Sequence, residues 1–262
     1  MKLSVQEGLL PGRDLSEKLD NAAAYGYEGV EIGGRALLEH FDETAKAFEN
    51  HPVKLSSICS GYRGSLLDAA KAERDLAAAD AVKLLKAGGQ LGAVGLICVP
   101  CFGGPKLPDL SPWKTAQELE IELVVDLLGP LADAGRKAGC LLLVEPLNRY
   151  ETHLLRSLND AVKVVRRVNR KGIAIMADLF HMNIEEDNLP EAIRAAGKLI
   201  RHVHLADSQR LQPGTGHTNF RAAFKALQEA GFKDYMALEC GVRGNRAQGL
   251  KDCAKFLRKQ MR

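Results

Sequence analysis

The sequence predicts a single (β/α)8 barrel, the TIM-barrel fold, as one domain over residues 1–262. Eight short apolar runs alternate with stretches of helical spacing, the pattern of a parallel sheet whose strands are joined by helices. The length of 262 residues suits one such barrel, and no stretch has the composition of a linker. A doubly wound open sheet is the alternative, but it usually has fewer repeats and a reversal of strand order.

In the first half of the chain, each apolar run is followed by a helical stretch. We expect strands at 2–5, 29–32, 55–60 and 94–100. The first helix should begin near Asp14, and the others are predicted at 42–49, 66–88 and 114–137. The helix at 66–88 is rich in alanine, which has the highest helix propensity. A loop rich in glycine and proline precedes the helix at 114–137.

The second half continues the alternation. Strands are predicted at 141–145, 173–178, 200–207 and 235–239, and helices near 157–168, 189–196, 220–230 and 251–260. The loop QPGTGHTNF, at 212–220, contains a Gly-x-Gly pair. This pair lacks the full phosphate-binding fingerprint and its downstream acidic residue, so we predict no dinucleotide site.

Composition and charge restrict the class of protein. Hydrophobic residues make up 46% of the chain and charged residues 26%, as in an ordinary globular domain. Lys and Arg exceed Asp and Glu by 3 (36 minus 33), too few to indicate a nucleic-acid or membrane partner, although an anionic substrate stays possible. Without a signal-like N-terminus or a run of about 20 apolar residues, we expect a cytoplasmic protein. We also expect a homo-oligomer, a dimer or tetramer.

The six cysteines are predicted to be reduced thiols. Cys98 and Cys101 form one CxxC, but no second pair accompanies it, as a zinc-finger site would require.

Four successive strands in the second half carry a side chain that can bind a metal. Glu145, Asp178 and Glu239 end their apolar runs, and His204 lies in IRHVHL. The carboxyl ends of barrel strands form one rim, where TIM-barrel enzymes have their active sites. A single acid there could simply cap a helix or pair with an arginine, but four donors on successive strands favour one metal centre. Three carboxylates and one imidazole suit Mn²⁺, our first choice, or Mg²⁺ or Co²⁺.

Three further polar residues follow the predicted ligands by a few positions. They are Glu151, His181 and Arg210, and we place them on loops just above the metal. Together they would provide donors and acceptors for a substrate with several hydroxyl groups.

Other candidates have simpler explanations. Glu31 lies near the end of the second strand, but strands one to four offer no second ligand beside it, so we expect a structural role or support of the site from outside. His202 shares the strand face of His204 one layer deeper, where a hydrogen-bonded core histidine is expected. His217, in the glycine-rich loop, could touch a ligand or nothing.

Five motifs together resemble a known group of enzymes. EPLNRYET, DLFHMNIEE, HVHLADSQR, PGTGHTNF and LEC are similar to the xylose isomerase-like barrels of the sugar isomerase and epimerase superfamily. Within it, the D-tagatose 3-epimerase and D-psicose (allulose) 3-epimerase family is the most similar. The resemblance is specific over 141–240 and only architectural before that. One departure is Leu179, where the family usually has threonine.

The resemblance implies a metal-dependent isomerase that acts on a sugar. The family's ligands fall on Glu145, Asp178, His204 and Glu239, and its substrate-holding residues fall on Glu151, His181 and Arg210. Of the two glutamates, 145 and 239, one would remove the C3 proton of a ketose and the other would return a proton to the opposite face. The intermediate would be an enediolate that the cation stabilises.

Related reactions on the same site stay open. Proton return to C1 or C2 would make the protein an aldose-ketose isomerase, and hydroxypyruvate isomerase or inosose dehydratase chemistry is also possible. We expect an unphosphorylated sugar because no phosphate-binding signature appears. Arg63, Lys106 and Arg243 are cations near the rim that no motif connects to a phosphate.

Two alternatives come from other classes. Endonuclease IV shares the superfamily but needs a trinuclear zinc cluster with extra histidines from strands three and four. Here Cys59, Ser60, Pro100 and Cys101 occupy those places, and the near-neutral charge argues against a DNA groove. A barrel that binds metal without turnover is the second alternative. It would be favoured if no ketose, inositol derivative or keto-glycoside reacted.

Overall fold

The computed structural model describes residues 1–262 as a closed barrel of eight parallel strands, which confirms the predicted fold. Each strand pairs with the next along the chain, and the last pairs with the first. The strands are β1 (Lys2–Gln6), β2 (Gly29–Gly33), β3 (Lys54–Cys59), β4 (Gly95–Cys98), β5 (Leu141–Val144), β6 (Ile173–Asp178), β7 (Ile200–Leu205) and β8 (Tyr235–Leu238).

Ten helices join and surround the strands. They are α1 (Leu15–Tyr25), α2 (Gly34–Glu39), α3 (Phe41–Phe48), α4 (Lys71–Gln90), α5 (Ala116–Ala138), α6 (Leu158–Val168), α7 (Leu179–Glu185), α8 (Leu189–Ala196), α9 (Phe220–Glu229) and α10 (Arg246–Gln260). No helix combines the length and the apolar character needed to cross a bilayer.

Capping side chains explain why several helices begin where the sequence predicts. Asp14 accepts a hydrogen bond from the backbone N–H of Glu17 and starts α1. Thr115 and Ser157 start α5 and α6 with capping boxes, in which the third helical residue bonds back to the cap. These bonds satisfy N–H groups that have no partner within the helix.

Other boundaries differ from the prediction. Helix α4 begins at Lys71 and not at 66, because the Asp68 side chain accepts from the N–H of Ala70 and forms a turn that competes with helix. Helix α10 begins earlier than predicted, at Arg246, where Asn245 caps it. The short helices α2 and α7 were not predicted, since fewer than two turns leave no periodic signal.

The apolar side chains form two layers of core. The larger one contains 61 buried residues and lies between the barrel and its helices. A small second cluster consists of Ile97, Leu143, Ala174 and Met176, which alternate along β4, β5 and β6 with members of the larger core. Neighbouring residues of a strand point to opposite faces, so this second cluster faces the barrel interior. All six cysteines are free, which confirms that they form no disulfides.

Strand register sets the height of the polar residues at the carboxyl end. Asp178 pairs directly with His204 across β6 and β7, and Gln6 pairs with Glu31 across β1 and β2. Val5 pairs with Leu238, so Gln6 lies beside Glu239, the residue after β8. These side chains therefore reach the same end of the barrel interior.

Candidate metal and active site

The structure brings the four predicted donors together at the carboxyl end of the barrel. Their ligand atoms all lie within 4.8 Å of one another. The Nδ1 atom of His204 is 3.5 Å from Glu145 Oε1, 3.8 Å from Asp178 Oδ2 and 3.3 Å from Glu239 Oε2. The imidazole therefore occupies the centre of the group, with one carboxylate from each of three other strands around it.

Burial and mutual repulsion change the acidity of this cluster. Burial is the main cause that raises the pKa of Glu145 to about 7 and that of Asp178 to about 6. Burial opposes ionisation of Glu239 as well, but the charge of the nearby His204 outweighs it and lowers the pKa to about 2. Burial likewise opposes protonation of His204, yet the charges of Glu31 and Glu239 outweigh it and raise its pKa well above the usual value. Glu145, Asp178 and His204 thus retain protons more readily than free side chains do, and a bound cation would displace those protons.

Two unsatisfied atoms show that the residues fit a divalent cation. His204 Nδ1 and Asp178 Oδ2 are buried and have no hydrogen-bond partner, although both belong to the four-donor group. A buried polar atom without a partner is costly, and a bound cation would satisfy both. Three carboxylates and one imidazole also match the ligand preference of a hard or borderline divalent ion.

Asp178 serves two purposes with its two oxygens. Its Oδ1 accepts from the N–H groups of Phe180, at 2.7 Å, and His181, at 3.3 Å, and so caps helix α7. Its Oδ2 is the unpartnered atom that faces the donor group. Capping and cation binding are therefore compatible in this residue.

His181 lies in helix α7 and not on a loop, contrary to the prediction, because the cap at Asp178 starts the helix immediately after β6. Its Nδ1 accepts from the backbone N–H of Asn148, at 3.2 Å, and contacts the side-chain amide of Asn148 at 2.7 Å. An Nδ1 that accepts leaves the proton on Nε2. This Nε2 is buried, has no partner and lies 3.5 Å from Asp178 Oδ2, so it can donate to a substrate oxygen at the site.

Arg210 connects Glu151 to Glu239 by hydrogen bonds. Its Nη1 donates to Glu151 Oε1 at 2.9 Å, and its Nη2 donates to Glu239 Oε2 at 3.0 Å. The guanidinium stacks over the ring of Phe180, 4.8 Å from its centre. The structure thus places Glu151, His181 and Arg210 around the four donors.

The sequence reasoning missed two residues at the site. Gln6 donates from Nε2 to Glu31 Oε1 and to Glu239 Oε1, both at 3.0 Å. Asn148 donates to Glu151 Oε1 at 3.0 Å and orients His181. Gln6 ends β1, so the rule that selected the other strand ends could have found it. Asn148 lies within EPLNRYET but has no ionisable group to mark it.

The other candidates lie as follows. His202 is buried in the barrel interior, where its Nε2 contacts Glu31 Oε2 at 2.9 Å and Ser57 Oγ at 3.1 Å, as expected of a hydrogen-bonded core histidine. His217 is exposed in the loop before α9. Arg63 pairs with Asp80 and not with a residue of the four-donor group.

Known proteins resemble this chain over all or part of its length. Residues 19–260 match the family described as Xylose isomerase-like TIM barrel. The 3-dehydro-D-guloside 4-epimerase of Escherichia coli (strain K12) is 31% identical over 261 residues, which cover 98% of this chain and 99% of that protein. The D-psicose 3-epimerase of Agrobacterium fabrum is 36% identical over 115 residues, 44% of this chain and 40% of that protein.

Solved structures agree with these relatives. The apo 3-keto-D-glucoside 4-epimerase from E. coli has a TM-score of 0.90 at 30% identity and covers 99% of both chains. A D-psicose 3-epimerase from Clostridium cellulolyticum H10 has a TM-score of 0.87 at 22% identity, covering 100% of this chain and 99% of that one, which shows the shared fold. The resemblance that the motifs indicated is therefore confirmed. The chain belongs to the xylose isomerase-like TIM barrel family and is an enzyme of the isomerase and epimerase class within it.

Proposed function

We propose that the protein is a metal-dependent sugar epimerase that removes and returns the proton on a carbon next to a ketone. The observation that carries this proposal is the group of three carboxylates around His204, with two buried atoms that lack a partner. Such a group suits a cation held beside two carboxylates that can exchange a proton with a bound substrate.

The relatives suggest two positions for the ketone. In a ketose, the carbonyl at C2 makes the C3 proton acidic, and relatives over part of the chain are named D-psicose 3-epimerase. In a 3-dehydro sugar, the carbonyl at C3 makes the C4 proton acidic, and the relative that matches over the full length is a 4-epimerase of a 3-dehydro-D-guloside. Both substrates present a hydroxyl beside the ketone. The full-length match favours the 3-dehydro glycoside, and the ketose is the second candidate.

The cation would be held by Glu145, Asp178, His204 and Glu239, with Mn²⁺ as the first choice. When bound, it supplies positive charge that stabilises the enediolate formed as the proton leaves. Glu145 and Glu239 come from β5 and β8, on different sides of the barrel end. One of them takes the proton from one face of the sugar and the other returns a proton to the opposite face, which inverts the carbon.

The surrounding residues orient the proton-transfer groups and the sugar. Arg210 and Gln6 each donate to one oxygen of Glu239 and fix its carboxylate plane. The Nε2–H of His181 is free to donate to a substrate oxygen. Glu151, held by Arg210 and Asn148, provides an acceptor for a hydroxyl group. Fixed donors and acceptors of this kind lower the entropic cost of reaching the reactive geometry.

The test is incubation of 3-dehydro glycosides and ketoses with the protein and Mn²⁺ in D₂O, followed by NMR. We expect deuterium on the carbon next to the ketone together with a new epimer. Deuterium at C1 or C2 of a ketose would instead indicate an aldose-ketose isomerase, and loss of water would indicate a dehydratase. No exchange in any substrate by the Mn²⁺-loaded protein would contradict the proposal.

Replacement of Glu239, one of the two proposed proton-transfer groups, distinguishes a loss of proton transfer from a loss of metal binding. Glu239→Gln keeps an oxygen that can bind the metal but cannot accept the proton, so kcat should fall by about 10²- to 10⁴-fold. Exchange into D₂O and Mn²⁺ binding are measured on the same preparation. Glu186→Gln, at the residue that follows α7, is the matched control and should keep wild-type kcat.

A further inference from the structure

Glu31 lies in the barrel interior next to the four-donor group but is not part of it. It is fully buried on β2, and its carboxylate meets two histidines of β7. Strands β2 and β7 are not neighbours in the barrel, so these contacts cross its interior. A buried carboxylate from a non-neighbouring strand thus reaches the imidazole of the donor group.

Hydrogen-bond donors occupy the whole carboxylate of Glu31. Gln6 Nε2 donates to Oε1 at 3.0 Å, and Ser57 Oγ donates to Oε2 at 2.6 Å. His202 Nε2 lies 2.9 Å from Oε2, and His204 Nε2 lies 3.1 Å from both oxygens. An ionised carboxylate has about four lone-pair positions, so four donors fill it. Glu31 also forms a possible metal-binding group with His202 and His204, but its carboxylate is already occupied by these hydrogen-bond contacts.

The contact with Glu31 decides which nitrogen of His204 is available to bind a cation. A carboxylate that accepts from Nε2 keeps the proton on that nitrogen, so Nδ1 is the nitrogen that faces the other three donors and that a cation would bind in place of a proton. Nδ1 is the atom that has no hydrogen-bond partner and that lies 3.3 to 3.8 Å from the three carboxylates of the group. Without Glu31, the imidazole ring of His204 could carry its proton on Nδ1, or it could flip and exchange the positions of its two nitrogens.

We propose that Glu31 is a positioning residue for the metal centre, which holds the proton on His204 Nε2 and thereby directs Nδ1 to the cation. The inference depends on the metal site of the proposed function. It adds a residue from the first half of the barrel to a site whose four donors all come from the second half. Glu31 is not one of the four donors and acts on the centre through His204.

The test is calorimetric titration of the metal-free protein with Mn²⁺. Wild type should bind one Mn²⁺ per chain, and Glu31→Gln should weaken that binding by about 10- to 100-fold, the usual effect of losing the partner of a metal-binding histidine. Glutamine keeps the size of the side chain but cannot accept from all four donors. The melting temperature of each metal-free variant reports whether the fold is retained.

Glu120→Gln is the matched control. Glu120 is also fully buried and also contacts a histidine Nε2, that of His153, but it lies outside the four-donor group. If loss of a buried glutamate were sufficient to weaken Mn²⁺ binding, both variants would bind weakly. We expect Glu120→Gln to bind Mn²⁺ as tightly as wild type does.

The outcomes separate this inference from the function on which it depends. Wild type that binds no Mn²⁺ would overturn both, whereas wild-type binding with unchanged affinity in Glu31→Gln would overturn the inference alone. A second Mn²⁺ that disappears in Glu31→Gln would make Glu31 a ligand and also overturn it. Should the variant not fold, ¹⁵N NMR of Zn²⁺-loaded wild type decides. The proton of His204 is expected on Nε2, and a proton on Nδ1 contradicts the inference.

Discussion

Arg210 shows how much one side chain can organise at the site. It donates to Glu151 and to Glu239, which come from different loops, and it stacks on Phe180 of helix α7. Its backbone φ of 58° lies in the left-handed region, which is unfavourable for a residue with a side chain. Its own N–H donates to Asp207 O, at 2.8 Å, and holds this conformation. A strained residue with three functional contacts is typical of an active site.

At the residue scale, we predict the effect of Arg210→Lys. Lysine keeps the charge but cannot donate to both carboxylates in one plane, so Glu239 and Glu151 lose their common support. One lost hydrogen bond between charged groups corresponds to about 1.5 to 3 kcal/mol, or about a 10- to 150-fold lower kcat/KM. Steady-state kinetics on the epimerised sugar measures this. Arg194→Lys, which changes a surface pair with Glu229, serves as the control, and equal kcat/KM in both variants would contradict the role of Arg210.

At the scale of elements, an ion pair holds the connection from β3 to helix α4. Asp80 of α4 is buried and accepts from Arg63 Nε, at 2.7 Å, and from Arg63 Nη2, at 3.0 Å. Lys83 adds a third contact at 3.2 Å. The hydrogen bonds from Arg63, despite burial, hold the pKa of Asp80 well below its usual value. The pair thus fixes the chain between 60 and 70, which the sequence had assigned partly to helix.

We predict a pH-dependent loss of stability in Asp80→Asn. A lowered folded-state pKa means that the carboxylate stabilises the fold above its unfolded pKa of about 3.9 and loses this effect as the pH falls further. At pH 7 the variant should lose about 1 to 3 kcal/mol of unfolding free energy. The difference from wild type should shrink below about pH 4. Urea unfolding at a series of pH values measures both.

Asp75→Asn is the control, because Asp75 forms an exposed pair with Lys71 on the same helix and its replacement should change the free energy of unfolding little. A difference for Asp80→Asn that does not depend on pH would show that the charge of Asp80 is unimportant.

For the whole molecule, the proposed cation would connect four strands that the chain visits in succession. Glu145, Asp178, His204 and Glu239 follow or belong to β5, β6, β7 and β8, half of the closed sheet. Separation of any of these strands from the barrel would remove a ligand. Metal binding and folding should therefore be coupled, as in other sites that exist only in the folded state.

We predict that Mn²⁺ stabilises the folded protein and that a chelator reverses the effect. At a free concentration of 100 times Kd, binding adds about 2.7 kcal/mol to the free energy of unfolding. For a chain of this size that corresponds to a melting temperature higher by about 5 to 10 °C. Scanning calorimetry with Mn²⁺ and with EDTA measures it. Asp178→Asn should lose the shift and Asp80→Asn should keep it; a shift of the same size in Asp178→Asn would contradict the proposed ligand set.

The prediction succeeded where local sequence carries the signal. The apolar runs before Glu145, Asp178 and Glu239 identify strands, and strand ends of a barrel must meet at one rim. The same rule could have selected Gln6, but the contacts of Gln6 with Glu239 and of Glu31 with His204 could not be predicted, since these partners lie about 170 to 230 residues apart along the chain. The turn at Asp68 was missed because alanine-rich sequence favours helix there, while one side-chain hydrogen bond prevents it.

By itself, the sequence determined the eight strand and helix repeats and the barrel class, and it selected the four candidate donors, because hydrophobic periodicity and strand-end chemistry are local properties. Only the tertiary structure decided that the four donors share one centre with two unpartnered atoms. It also decided that Arg210 links Glu151 to Glu239 and that Glu31 faces His204 across the barrel interior. These contacts depend on closure and register of the sheet, which bring distant segments to the same height.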